Sequence, residues 1–142
     1  MLKLNGKASL STIAGLGVAA FLVSAPVAMS AQPEIPAGAG ISSWVENGAG
    51  GRYLLQVQKG AMPQAGKSVV GTVLSDSDCA PDEEGINHCR NEIQLSNGSI
   101  LTGIDNHRMS VNPCLSPDDR VTVSKFSDGW ALILTEEAQA SN

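Results

Sequence analysis

All three cysteines and both histidines of this 142-residue chain fall between Cys79 and Cys114. Together with Met109 they define one candidate site: Cys79, His88, Cys89, His107, Met109 and Cys114. His107 and Met109 are two positions apart, so in extended chain both side chains leave on the same side. A thioether and an imidazole with the Cys114 thiol shortly beyond form a soft ligand set. Such a set suits copper, Cu(I) above all, better than magnesium or calcium. The metal ligands expected from sequence are therefore His107, Met109 and Cys114, completed by His88 and by Cys79 or Cys89. Zinc fits less well, because structural zinc sites favour cysteine pairs separated by two to four residues. Cys79 and Cys89 have nine residues between them.

The same residues support a purely structural account. A disulfide between Cys79 and Cys89 closes a short local loop, which stabilises a small domain by about 2–3 kcal/mol through the entropy of the unfolded chain. Cys114 bridged to either of them ties two loops together, and an odd count leaves one thiol over. In that account His88 is an ordinary loop residue and Met109 an apolar side chain at the edge of the core.

Catalysis has little support. C-x-x-C, G-x-S-x-G and S-x-x-K are absent, as is the C-x-x-C-H of haem attachment. A thiolate–imidazole pair of His107 with Cys89 or Cys114 has no flanking signature. The expectation is a non-enzymatic protein. The acidic stretch Asp76, Asp78, Asp82, Glu83 and Glu84 lacks the glycine and closing glutamate of a calcium loop. It reads as a solvated loop whose charge concentrates cations near the cysteines.

The elements that position these residues follow a targeting segment. Lys3 and Lys7 precede an apolar run from Ile13 to Val23, and small residues at Ala28, Ser30 and Ala31 precede Gln32-Pro33. This is the layout of a secretory signal peptide over residues 1–31. The run is shorter than the ~20 residues a bilayer span needs and is broken at Pro26. No stable membrane insertion is expected, and the address is periplasmic or secreted, where disulfides persist. The 111 residues from Gln32 onward hold seven basic against fourteen acidic residues, a net charge of −7. A phosphate backbone repels such a surface, so nucleic acid is not an expected partner, whereas a metal ion or an envelope protein is.

Residues 32–66 read as a flexible arm, rich in Gly and Pro, with one short strand at Arg52–Gln58 and Trp44 as its anchor. Residues 67–136 read as five consecutive strands: Val69–Leu74, Glu92–Leu95, Ser99–Ile104, Arg120–Phe126 and Trp130–Leu134. Asn97-Gly98 supplies a two-residue hairpin turn, and its glycosylation sequon with Ser99 is explained by the turn alone. Residues 137–142 are a polar tail. The predicted fold class is all-β, a small five-stranded antiparallel OB-like barrel. A meander would send the loops 76–87 and 105–118 to one end of it, bringing the Cys, His and Met residues together.

The order Gly71-Thr72-Val73, Leu95-x-Asn97-Gly98, Met109, Asp119-x-Val121-Thr122-Val123 resembles the small OB-fold family of bacterial translation initiation factor one and the S1 repeats. The resemblance spans residues 69–135 and implies the fold. That family's function needs a basic RNA-facing surface and a cytoplasmic address, which an exported acidic chain does not offer, so only the fold is carried over.

Overall fold

The computed structural model describes residues 15, 17–22 and 32–141. The expected signal peptide lies, apart from those few positions, outside the described residues. Among them no helix is long and apolar enough to cross a membrane.

Six strands close a single antiparallel barrel in the order β1-β4-β3-β2-β5-β6, with β6 returning to β1. They are β1 (Arg52–Lys59), β2 (Ser68–Ser77), β3 (Asn87–Leu95), β4 (Ile100–His107), β5 (Arg120–Ser127) and β6 (Trp130–Thr135). A short helix, α1 (Glu136–Ala140), follows where a polar tail is expected. The closed antiparallel barrel is consistent with an OB-like fold, but it has six strands rather than five. The extra one is β1, which the Gly- and Pro-rich flanks assign to the arm. It sits between β4 and β6, pairing Leu55 with Asp105 on one side and Tyr53 with Ile133 on the other. The β4-to-β5 connection accordingly crosses the barrel end, because β5 pairs with β2 and not with β4. A simple meander is not formed.

Period-two alternation decides what points inward. On β3, Cys89, Asn91, Ile93 and Leu95 are buried, and on β4 Leu101, Gly103, Asp105 and His107 are. The lower barrel is filled by aliphatic side chains such as Leu55, Val73, Ile93, Leu101, Val123 and Ile133. Gly103 is required by the close approach of β1: a Cβ there would lie 2.6 Å from Leu55 Cγ and 2.7 Å from the Gln56 carbonyl. In the β3–β4 hairpin only Gly98 takes a positive φ, of 87°. The type I′ turn needs a positive φ at both centres, so that two-residue turn is not the one formed.

Residues 32–51, expected as a flexible arm, pack on the outside of the barrel. Trp44 is 3% exposed, stacks on Trp130 at 5.3 Å between ring centres, and donates Nε1–H to the Pro33 carbonyl at 2.8 Å. Ala39, Trp44, Leu54 and Ile86 form a second small core there. Leu54 of β1 and Trp130 and Leu132 of β6 face outward, and the arm removes them from water, which offsets the cost of ordering it.

Candidate functional site

The site forms where β3 begins and β4 ends. These strands pair Cys89 with Asp105 and Asn87 with His107. The pleat sends Cys89, Asp105 and His107 into the barrel end, each of them fully buried. The 108–119 connection then passes over that end. Leu115 plugs it from above and is wholly buried. The connection is anchored by Tyr53, whose hydroxyl donates to the Pro113 carbonyl at 2.5 Å, and by Asn112, whose amide donates to the Val45 and Asn47 carbonyls, each at 3.1 Å. These contacts hold Cys114, half-buried, beside the strand residues. The sulfurs of Cys89 and Cys114 and a ring nitrogen of His107 all lie within 4.8 Å of one another.

Cys89 is also bonded to Cys79, the cysteine of the β2–β3 loop, and Cys114 is the free thiol. Asn87 ties the two loops to each other: its Nδ2 donates to the Cys79 carbonyl at 2.8 Å and its Oδ1 accepts from Met109 N at 3.1 Å. Asp76 borders the sulfurs, with one carboxylate oxygen within 4.8 Å of both Cys79 and Cys89. Its Oδ1 accepts from the Asn91 amide at 2.8 Å.

Behind His107 stands a polar relay. Asp105 Oδ2 is 3.1 Å from His107 Nδ1. The Asp105 carboxylate thus faces Nδ1, while Nε2 of this buried imidazole has no hydrogen-bond partner among the described residues. Asp105 Oδ1 accepts from the Asn47 amide at 3.0 Å. The same Asn47 side chain donates to the Leu54 and Asn106 carbonyls and accepts from Leu54 N, replacing strand pairing where β1 and β4 part. Burial raises the Asp105 pKa, partly countered by the imidazole. Burial pulls His107 down, but the Asp105 carboxylate outweighs it and the net shift is upward. Burial, and next the Asp76 carboxylate, push the Cys114 thiol up to about 11. Such a thiol is protonated near neutrality, unlike the depressed thiols of nucleophilic cysteines. A metal ion can still bind by displacing the proton.

Of the ligands expected from sequence, His107 and Cys114 come together, joined by Cys89. His88 does not join them. It is a strand residue next to Cys89 and so faces the opposite side, where Nδ1 contacts Asn106 Oδ1 at 2.6 Å and Nε2 contacts Asp82 Oδ2 at 3.0 Å. Met109 lies exposed in the turn after β4. Because β4 ends at His107, the extended geometry that would align the two does not continue. Asp105, Asp76 and Asn47 are absent from the sequence-derived set. Asp105 carried a usable signal, since Asp-x-His within one strand puts carboxylate and imidazole on one face. Asn47 carried none. No protein-family model, curated protein or solved structure matches this chain.

Proposed function

We infer that this is an exported, non-enzymatic envelope protein that holds a soft metal ion, Cu(I) in preference to others, between Cys89, His107 and Cys114. What carries the reading is the convergence of those three donors at one barrel end, with an imidazole whose Nε2 has no hydrogen-bond partner among the described residues. Metal–sulfur bonds of about 2.3 Å put neighbouring ligand atoms about 3.8 Å apart, so the trio closes on an ion by moving ~1 Å or less. Asp105 orients the ring, as carboxylates behind metal-bound histidines do. Two thiolates and an imidazole are a soft set. Export is supported by the basic, apolar and small-residue succession of residues 1–31, and the acidic surface favours cations over nucleic acid.

Ligation requires Cys89 to be released from Cys79. A dithiol reductase or small thiol supplies the two electrons, and each sulfur takes up one proton that the metal then displaces from Cys89. Metal binding and the disulfide are therefore mutually exclusive. The test is anaerobic titration of the fully reduced protein with Cu(I) against a competing chelator, with Zn(II) in parallel. One equivalent of Cu(I) should bind, and His107→Ala should weaken it at least tenfold. A reduced, folded protein that binds neither metal would sink this reading.

A second reading is favoured by the Cys79–Cys89 bond itself, which withdraws a ligand. In it the bond is a staple and the barrel an interaction module for another envelope protein. Trp44 stacks on Trp130 and covers the barrel face there, so docking in this reading uses another face. Under this reading reduction lowers stability and creates no metal affinity.

A further inference from the structure

We propose that the oxidised protein exists as two disulfide isomers, Cys79–Cys89 and Cys89–Cys114, interconverted by attack of the Cys114 thiol on Cys89. Three sulfurs stand in one cluster with Cys89 as the common member: it is bonded to Cys79 and lies within 4.8 Å of the Cys114 sulfur. The outer two cysteines sit on separate loops, while Cys89 is itself fully buried and fixed in strand β3. A central sulfur that stays in place while flanking sulfurs alternate needs only loop side-chain motion. Forming the new bond at about 2.05 Å requires the Cys114 sulfur to travel roughly 3 Å at most, which a change of side-chain rotamer spans. The Asn87 clasp between the loops keeps both cysteines near Cys89 in either isomer.

The step balances without an external oxidant or reductant. The Cys114 thiol gives up its proton, its sulfur attacks Cys89 Sγ, and the Cys89–Cys114 bond forms. The Cys79–Cys89 bond breaks, and Cys79 departs as thiolate and takes up a proton. Uncatalysed rearrangement of this kind runs over minutes to hours. The free thiol changes address as a result. In one isomer it is Cys114, lining a cleft of roughly 310 Å³ with Tyr53, Asp119 and Arg120. In the other it is Cys79, half-exposed on the acidic loop. A thiol reagent or partner cysteine thus meets a different surface in each isomer.

The experiment uses oxidised, chelator-treated, metal-free protein, so its outcome is independent of Cu(I) titration on the reduced form. Protein is incubated from pH 6 to 9, alkylated with N-ethylmaleimide, digested without reduction and mapped by mass spectrometry. One label per chain is expected, shared between Cys114 and Cys79, with Cys89 unlabelled throughout. Cys79→Ser, checked for a native circular dichroism spectrum, should on oxidation lose two hydrogens within the monomer and link Cys89 to Cys114. Label confined to Cys114 at every pH overturns the proposal, as does a folded Cys79→Ser protein that keeps two free thiols. If Cys79→Ser fails to fold, the wild-type label distribution decides alone.

Discussion

Replacing Asn47 with alanine removes a side chain, 1% exposed, whose two amide hydrogens are shared among three acceptors and whose oxygen accepts a fourth contact. Left behind are Leu54 N–H, the Leu54 and Asn106 carbonyls and one oxygen of Asp105. Each buried group stranded without a partner costs about 1–3 kcal/mol. The space vacated by the amide admits water that recovers part of this, so the expected net loss is about 4 kcal/mol. Against a total stability of roughly 5–15 kcal/mol for a small domain, that is a large fraction. With a urea dependence near 1.3 kcal/mol per molar, the unfolding midpoint should fall by about 3 M. Equilibrium urea unfolding followed by tryptophan fluorescence reads it, because Trp44 and Trp130 stack beside the affected segment. Asn47→Asp is the control. It retains an acceptor for Leu54 N but places a carboxylate against Asp105, so it should also destabilise, and more strongly as the pH rises above the carboxylate range. A shift of the alanine variant's midpoint below about 0.5 M would refute the view that Asn47 joins β1 to β4 and holds the carboxylate behind His107.

Cys79→Ser, assayed under conditions that keep Cys89 and Cys114 reduced, opens a loop of sequence separation 10 and should cost about 2.7 kcal/mol in urea unfolding. Trp44→Ala should cost about 3–5 kcal/mol in thermal or urea unfolding, and limited proteolysis should then cut between residues 32 and 51. The Asp82 pKa stands at about 2: burial acts upward, but donation from Ile86 N, Gln32, His88 and Glu84 N holds the carboxylate in its charged form. A depressed folded value means that this contribution is complete above the unfolded value near 4 and is lost as the pH falls toward 2. Asp82→Asn should therefore flatten the acid limb of the stability–pH curve between those values and leave its neutral region parallel to wild type.

Strands β2 to β6 are legible in sequence because β-branched and alternating residues run between loops marked by Pro, Asn and Gly. Strand β1 carries the same signal in Arg52–Gln58. Its membership of the barrel is hidden, because its partners lie far along the chain and no local pattern encodes which edge it fills. The arm is misread for a related reason: Ala39 and Trp44 look sparse as a core until Leu54, Trp130 and Leu132 are known to face outward beneath them. For the site, residue type locates the right end of the barrel, while the pleat decides membership. Cys89 and His88 are neighbours in sequence and face opposite ways once β3 extends back to Asn87. Met109 is lost where β4 stops, and Asp105 is gained because the strand runs on to His107.

The position of β1 between β4 and β6 also governs when the molecule can come into being. Its partner residues Arg52 and Leu134 are about 80 residues apart in sequence. The barrel therefore stays open until its last strand is available, and pairings of that span close slowly. The Cys79–Cys89 link, by contrast, needs only the chain between its own ends. For a chain that traverses a membrane unfolded, as the exported reading requires, this order is an advantage. Nothing resembling the finished barrel can assemble on the near side while β6 is still to emerge. Oxidation on the far side can secure the β2–β3 loop first, and the Asn47 clasp is set last.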